Sequence, residues 1–192
     1  RATGAHTVLQ YKEVNESLLP TPNSAGFQLL GLSDFPGQGS AFVGILDAFW
    51  ESKGLVTPEK YRESCGPVVI LARLPKRIFS PSETLAARMD VYQFGPTDIR
   101  RGNIEWWLAD EDGKRIESGR LSHGNIARGG VDSVGVVRVS LDKISQTGKY
   151  TLHASLGDVH NEWDIWVYPD NRPVALPENG EQFGAGSGAS EC

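Results

Sequence analysis

Cysteine is scarce: Cys65 and Cys192 are the two in 192 residues, too few for a disulfide framework. Neither lies in a Cys-x-x-Cys pair, so no structural zinc site is expected. No run of about 18 apolar residues occurs, and no helical membrane span is expected. Basic charge is also short. The chain has 19 Lys and Arg against 24 Asp and Glu, a formal charge of −5, and no long segment is net basic. A nucleic-acid footprint therefore has no electrostatic support. Internal repeats are absent, as are the Gly-x-Ser-x-Gly, Walker A and Gly-x-Gly-x-x-Gly patterns. His6, His123, His153 and His160 lack metal-ligand spacing, and Asp158-Val159-His160 reads as a surface hairpin turn. No metal and no cofactor is expected. The chain opens at Arg1 without the basic and apolar regions of a signal peptide. That start fits a removed signal or a piece of something longer.

What is present is an ordinary globular composition, 39% apolar and 22% charged, which excludes disorder, collagen and coiled coil. Residues 7–19 place Val8, Tyr11, Val14 or Asn15, and Leu18 at helical spacing, and Pro20 and Pro22 stop the helix. Phe27 to Leu32 is a short, nearly continuous apolar run, the pattern of a strand buried on both faces. The Ser33 to Gly39 loop follows. Ala41 to Lys53 again reads as a helix, with Phe42, Ile45, Leu46, Phe49 and Trp50 on one face. Asp47 and Glu51 would then lie on a solvated or interface-facing edge of that helix. Thr57-Pro58-Glu59 is an N-cap with proline at the first helical position, opening a short helix to about Cys65.

From Pro67 the period changes to two. Runs beginning at Val68, Leu85, Asn103, Arg115, Val134, Tyr150 and Trp163 read as strands separated by turns, among them the hairpin signal Asp112-Gly113. So many short strands over residues 67–170 predict an antiparallel β-sandwich of immunoglobulin-like type. Tyr150 stands where a tyrosine corner belongs. Trp107 is expected in the core, leaving Trp106 to face outward against a neighbouring domain or a sugar; a face formed by exposed Trp106 and Trp163 is a further option. Cys65 is expected as a buried thiol. Residues 171–192 read as a Pro/Gly-rich linker or tail. Residues 1–66 hold a buried strand with no sheet partner of its own, so its neighbours are expected from a segment outside this chain.

Tyr11 to Leu19, Thr21-Pro22, Ala25 to Leu30, Asp34-Phe35-Pro36-Gly37-Gln38-Gly39-Ser40-Ala41 and Val43 to Gly54 together form a distinctive series. It resembles the last helix–strand–helix of the catalytic barrel in bacterial glycoside hydrolase family 2, the family of β-galactosidases and β-glucuronidases. The resemblance covers roughly residues 10–75 at motif level, and the following sandwich agrees with the family's usual architecture. It implies a mostly β chain: the incomplete end of a (β/α)8 barrel over 1–66, an Ig-like sandwich over 67–170, and a tail.

The function so implied is retaining hydrolysis of β-linked glycosides. It uses two glutamates about 5–5.5 Å apart, which in the family lie upstream of the part matched here. This chain is thus expected to carry no catalytic residue and to be inactive alone. Asp34, Phe35 and Gln38 would face the sugar from the loop at the barrel's carboxyl end. On the residues alone, Asp34 equally suits bonding to a nearby backbone amide, Gln38 loop stabilisation and Phe35 a buried turn. The implied partners are a glycoside or oligosaccharide and the rest of the barrel, in a periplasmic or extracellular setting. The alternative is a noncatalytic Ig-like module that binds carbohydrate or protein.

Overall fold

The computed structural model describes residues 2–22, 26–37 and 42–169. Helix α1 runs Ala2–Leu18 and helix α2 runs Pro58–Cys65. Eight strands follow: β1 Val68–Arg73, β2 Ile78–Phe79, β3 Thr84–Gln93, β4 Gly102–Asp110, β5 Arg115–His123, β6 Gly130–Ser140, β7 Gly148–Leu156 and β8 Val159–Val167. They form two sheets, β1-β3-β6 and β2-β8-β7-β4-β5, antiparallel except for the short β2–β8 pair. The expected β-sandwich is present. Only the two-residue β2 escapes period-two reading, being too short to show a period.

Local chemistry accounts for the element ends. Thr57 caps α2 by accepting the Lys60 N–H at 3.2 Å, with Pro58 where a missing N–H costs nothing. In the β4–β5 turn, Gly113 takes a positive φ of 78° while the Asp110 carboxylate accepts the N–H groups of Asp112 and Lys114. Asp158 lies in the short turn joining β7 to β8, as expected, whereas Val159 and His160 already belong to β8. Tyr150 donates its hydroxyl to the carbonyl of Gln146 at 2.8 Å, the tyrosine corner its position foretold.

Alternating side chains from both sheets fill the core: Leu85, Met89 and Val91 from β3, Ile104, Trp106 and Leu108 from β4, Leu152 from β7, Trp163 and Ile165 from β8. This corrects the tryptophan assignment. Trp106 faces inward and is 8% exposed, while Trp107 faces outward. Ile104, Trp106 and Leu108 are the uniformly apolar alternate set; the other set includes Asn103 and Glu105. Gly119 pairs with Trp106 and leaves room for its ring, since a Cβ there would lie 2.7 Å from Trp106 Cζ2. Trp163 is 1% exposed, so Trp106 and Trp163 do not form an exposed face.

The segment between the helices also departs from expectation. Phe27–Leu32 forms no ladder, and Leu30 is 94% exposed. The described part of 41–53 is not helical. Instead the Asp47 carboxylate accepts the N–H groups of Phe49 and Glu51, and Trp50 adopts a positive φ of 68°. Asp47 thereby supplies a turn in place of helical i−4 bonds and is not a residue of a helix edge. The expected strand over Phe27–Leu32 is not formed among the described residues. The start of the expected helix, Gln38 and the tail 171–192 lie outside the described residues.

Candidate functional site

Three surfaces hold the polar and aromatic groups from which a site could be built. The first is the loop system between α1 and α2. Its backbone closes through a parallel bridge, with Leu46 N–H donating to Leu32 O and Asp34 N–H to Leu46 O, both at 3.1 Å. Asp34 is buried. Its Oδ1 accepts the Gly44 N–H at 3.0 Å and the Lys53 ammonium at 2.7 Å. Lys53 also donates to the Gly44 carbonyl at 2.9 Å. Gly44 is obligatory here, because a Cβ would fall 2.5 Å from the Asp34 nitrogen. α1 touches the system through the Tyr11 hydroxyl, whose single hydrogen is shared between the Gly31 carbonyl at 3.3 Å and the Val43 carbonyl at 3.4 Å.

Phe35 is 58% exposed beside this knot. A groove of about 540 Å³ runs along Leu29–Phe35, Val43 and Trp50. Asp34 and Phe35 therefore share one surface, with the Asp34 carboxylate engaged by Lys53 and Gly44. Phe42, Phe49 (84% exposed) and Trp50 (68% exposed) add to its apolar character. Leu30, Phe35, Val43 and Trp50 are exposed and line this one groove, and exposed apolar patches are common at interaction sites.

The second surface is the outer face of the five-stranded sheet. Trp107 stacks on His153 at 4.9 Å between ring centres, and the Arg115 guanidinium lies 4.6 Å from the Trp107 ring centre. His153 Nδ1 is 3.3 Å from Glu162, which also pairs with Lys60 of α2 at 2.7 Å. His153 and then Lys60 hold the Glu162 carboxyl down at about 2 against the opposing effect of its burial. Burial pushes Lys60 down, but Glu162 and Glu63 outweigh it and leave the ammonium raised.

The third lies where α1 and α2 meet the edge between β1 and β8. Glu16 accepts the Trp163 indole N–H at 2.7 Å and the Asn161 amide at 2.8 Å, and it pairs with Lys12. Asn161 also donates to the Ile70 carbonyl at 2.7 Å, joining the two sheets. Spacing within one element could not reveal this cluster, whose members come from three separate elements. Among the described residues no group of acidic, His and Cys side chains could hold a metal ion. Cys65 is half-buried rather than buried; it is unpaired, and burial pushes its thiol above the ordinary range. No helix of the described residues is long and apolar enough to cross a membrane.

Residues 83–169 match a family model described as a domain of unknown function (DUF8488). A search of curated proteins gives no match. Among solved structures, the chain is similar to trypsin-activated alpha-2-macroglobulin from Escherichia coli, with 19% identity over 51% of this chain and 6% of that one, at a TM-score of 0.41. It is similar to the sporulation control protein Spo0M from Bacillus subtilis, with 16% identity over 55% of this chain and 51% of that one, at 0.44. It also resembles a CARDB domain from Pyrococcus furiosus, with 10% identity over 54% of this chain and 94% of that one, at 0.40. The chain spans 6% of the macroglobulin's length and about half of the sporulation protein's.

Proposed function

We propose that this chain is the C-terminal segment of a retaining glycoside hydrolase acting on β-linked glycosides, with the two catalytic glutamates upstream of Arg1. The observation that supports this reading most directly is the apolar surface of the inter-helix segment. Leu30, Phe42, Phe49 and Trp50 all face outward on a backbone that pairs with no sheet. A barrel strand deprived of both neighbours would look like this, because its ladder and its apolar faces are satisfied together or not at all. Once the other strands are present, Phe27–Leu32 closes the barrel, and the loop bearing Asp34, Phe35 and Gln38 lies at its carboxyl end. In that setting Asp34 and Lys53 fix the loop, while Phe35 and Gln38 face the sugar. The sandwich is then the Ig-like domain that follows the barrel, in a periplasmic or extracellular enzyme.

The test compares two chains on aryl β-glycosides. The 192-residue chain gives no turnover, and a chain extended upstream through a whole barrel gives turnover that is lost on replacing either upstream glutamate. Turnover by the short chain, or a reading frame upstream without paired glutamates at strand ends, overturns the proposal.

A second reading is a noncatalytic Ig-like module that binds carbohydrate or protein. It draws support from the docking of α1 on the sandwich through Glu16, Asn161 and Trp163. Its signature is a monomeric 192-residue chain whose apolar loop surface stays exposed in the full-length protein.

A further inference from the structure

We propose that the groove between α1, α2 and β8 binds one ring of a neutral polyhydroxylated ligand, a pyranose, at a place separate from the loop that carries Phe35. The groove has a volume of about 220 Å³, the scale of a single ring and below that of an ordinary drug-sized site. Val8, Leu9 and Val56 make it apolar on the helix side, and Trp166 stands half-buried on the sheet side. Trp166 lines the groove, and an indole that turns its face to a pyranose meets the ring's C–H face and leaves the hydroxyls to reach outward.

The rim supplies partners for those hydroxyls and disfavours ions. Arg77 pairs with Glu13 at 2.5 Å, Lys60 with Glu162 at 2.7 Å, and Asp164 lies 3.6 Å from Lys149. Each charge already has its opposite, so an ionic ligand gains no unpaired counter-charge and has to break an existing pair. A neutral hydroxyl does not. It donates to a free carboxylate lone pair or accepts from an ammonium or guanidinium N–H, and such charge-assisted bonds are the stronger kind. The walls are also held in place beforehand, since α1 is tied to β8 by the Glu16 bonds to Asn161 and Trp163. The ligand class is taken from the groove itself; it rests on the glycosidase reading only for the choice of sugars used as probes.

The 192-residue chain is titrated with methyl β-glucopyranoside, methyl β-galactopyranoside and glucuronate, followed by tryptophan emission and by NMR shifts of the indole N–H signals. At least one neutral glycoside saturates the signal in the millimolar range, and glucuronate binds no tighter. Trp166→Ala weakens that binding at least fivefold, Trp166→Phe restores most of it, and Phe94→Ala, exposed beyond the end of β3 and outside the groove, leaves it unchanged. Retained helical and near-ultraviolet circular dichroism shows that each variant is folded. The proposal is overturned if neither neutral glycoside binds, if glucuronate binds more than tenfold tighter, or if Trp166→Ala has no effect. None of these outcomes bears on turnover by the upstream-extended chain, so the two proposals fail separately.

Discussion

The indole N–H of Trp163 donates to Glu16 Oε2 at 2.7 Å, tying a core side chain of the sandwich to a helix 147 positions earlier in the chain. Trp163 is 1% exposed, so its indole N–H depends on this acceptor. The same carboxylate takes the Asn161 amide and the Lys12 ammonium. One side chain thus satisfies two buried donors from β8 and orients α1 across the sandwich edge.

Removal of that carboxylate leaves the Trp163 indole N–H without its acceptor and the Asn161 amide with the Ile70 carbonyl alone. Glu16→Ala is expected to lower unfolding stability by about 2–4 kcal/mol, in line with an unsatisfied buried network. Glu16→Gln keeps an acceptor oxygen and costs less than half as much. Urea denaturation followed by tryptophan emission measures both; equal losses for the two variants would refute the network's role.

Tyr150→Phe removes only the hydroxyl that bonds Gln146, and the ring remains in the core. A cost of about 1 kcal/mol follows from one lost hydrogen bond with a carbonyl left behind near the surface. A chevron or equilibrium denaturation series reads it directly. A neutral result would show that the corner is ornamental here.

Gly119→Ala places a methyl 2.7 Å from Trp106 Cζ2. The ring is packed on its other side by the core, so relief requires movement of β4 or β5. The expected loss is about 1–3 kcal/mol from overpacking. The double variant Gly119→Ala with Trp106→Leu recovers part of it relative to Trp106→Leu alone, which a thermal-melt double-mutant cycle tests.

Acid should loosen the sandwich–helix contact through Glu162. Its folded pKa is about 2, depressed from an ordinary 4.5 by His153 and Lys60. A depressed carboxyl stabilises the fold above its unfolded value and loses that contribution as pH falls from about 4.5 towards 2. Its side chain is 38% exposed, so solvent screening keeps the contribution to about 1 kcal/mol or less. Asp90, lowered by Arg88 and Arg73 against its burial, adds loss of the same sign. Glu162→Gln should flatten the stability–pH curve in that window, measured by denaturation at a series of pH values.

The loop surface makes an opposite prediction about stability. Leu30→Ser and Phe49→Ser alter side chains that face solvent, so stability changes by no more than about 0.5 kcal/mol. Binding of a hydrophobic dye and self-association at high concentration should both fall. The proposed function adds a test of its own: if an upstream barrel covers this surface, the same substitutions impair folding of the upstream-extended chain.

Much of the sandwich was legible because a strand with one buried face prints a period of two, and turns print Gly, Asp and Pro. The Asp112-Gly113 hairpin and the Thr57-Pro58 cap are chemistry of adjacent residues, readable wherever they occur. Trp106 and Trp107 show where such reading goes astray. Both are aromatic, and the decision lay in their alternate neighbours and in Gly119 on the facing strand, which gives Trp106 its space. The loop system failed for a different reason. Its apolar pattern suits strand and helix alike, whereas the backbone here follows the bonds that the Asp34 and Asp47 carboxylates accept from Gly44, Phe49 and Glu51.

The amino-acid sequence alone determined the two-layer β architecture, its turns, the capped α2 and the tyrosine corner, because each depends on residues close together in the chain. Tertiary structure alone decided which tryptophan entered the core, that Glu16 would reach Trp163 and Asn161, and that α1, α2 and β8 would enclose a groove beside Trp166. Those outcomes depend on which surfaces meet in space, and a pattern in one element carries no record of the partner that will cover it. The scarcity of cysteine and of basic charge excluded whole classes of function at the outset; the exposed face of Leu30, Phe49 and Trp50 supplied the positive clue that composition could not.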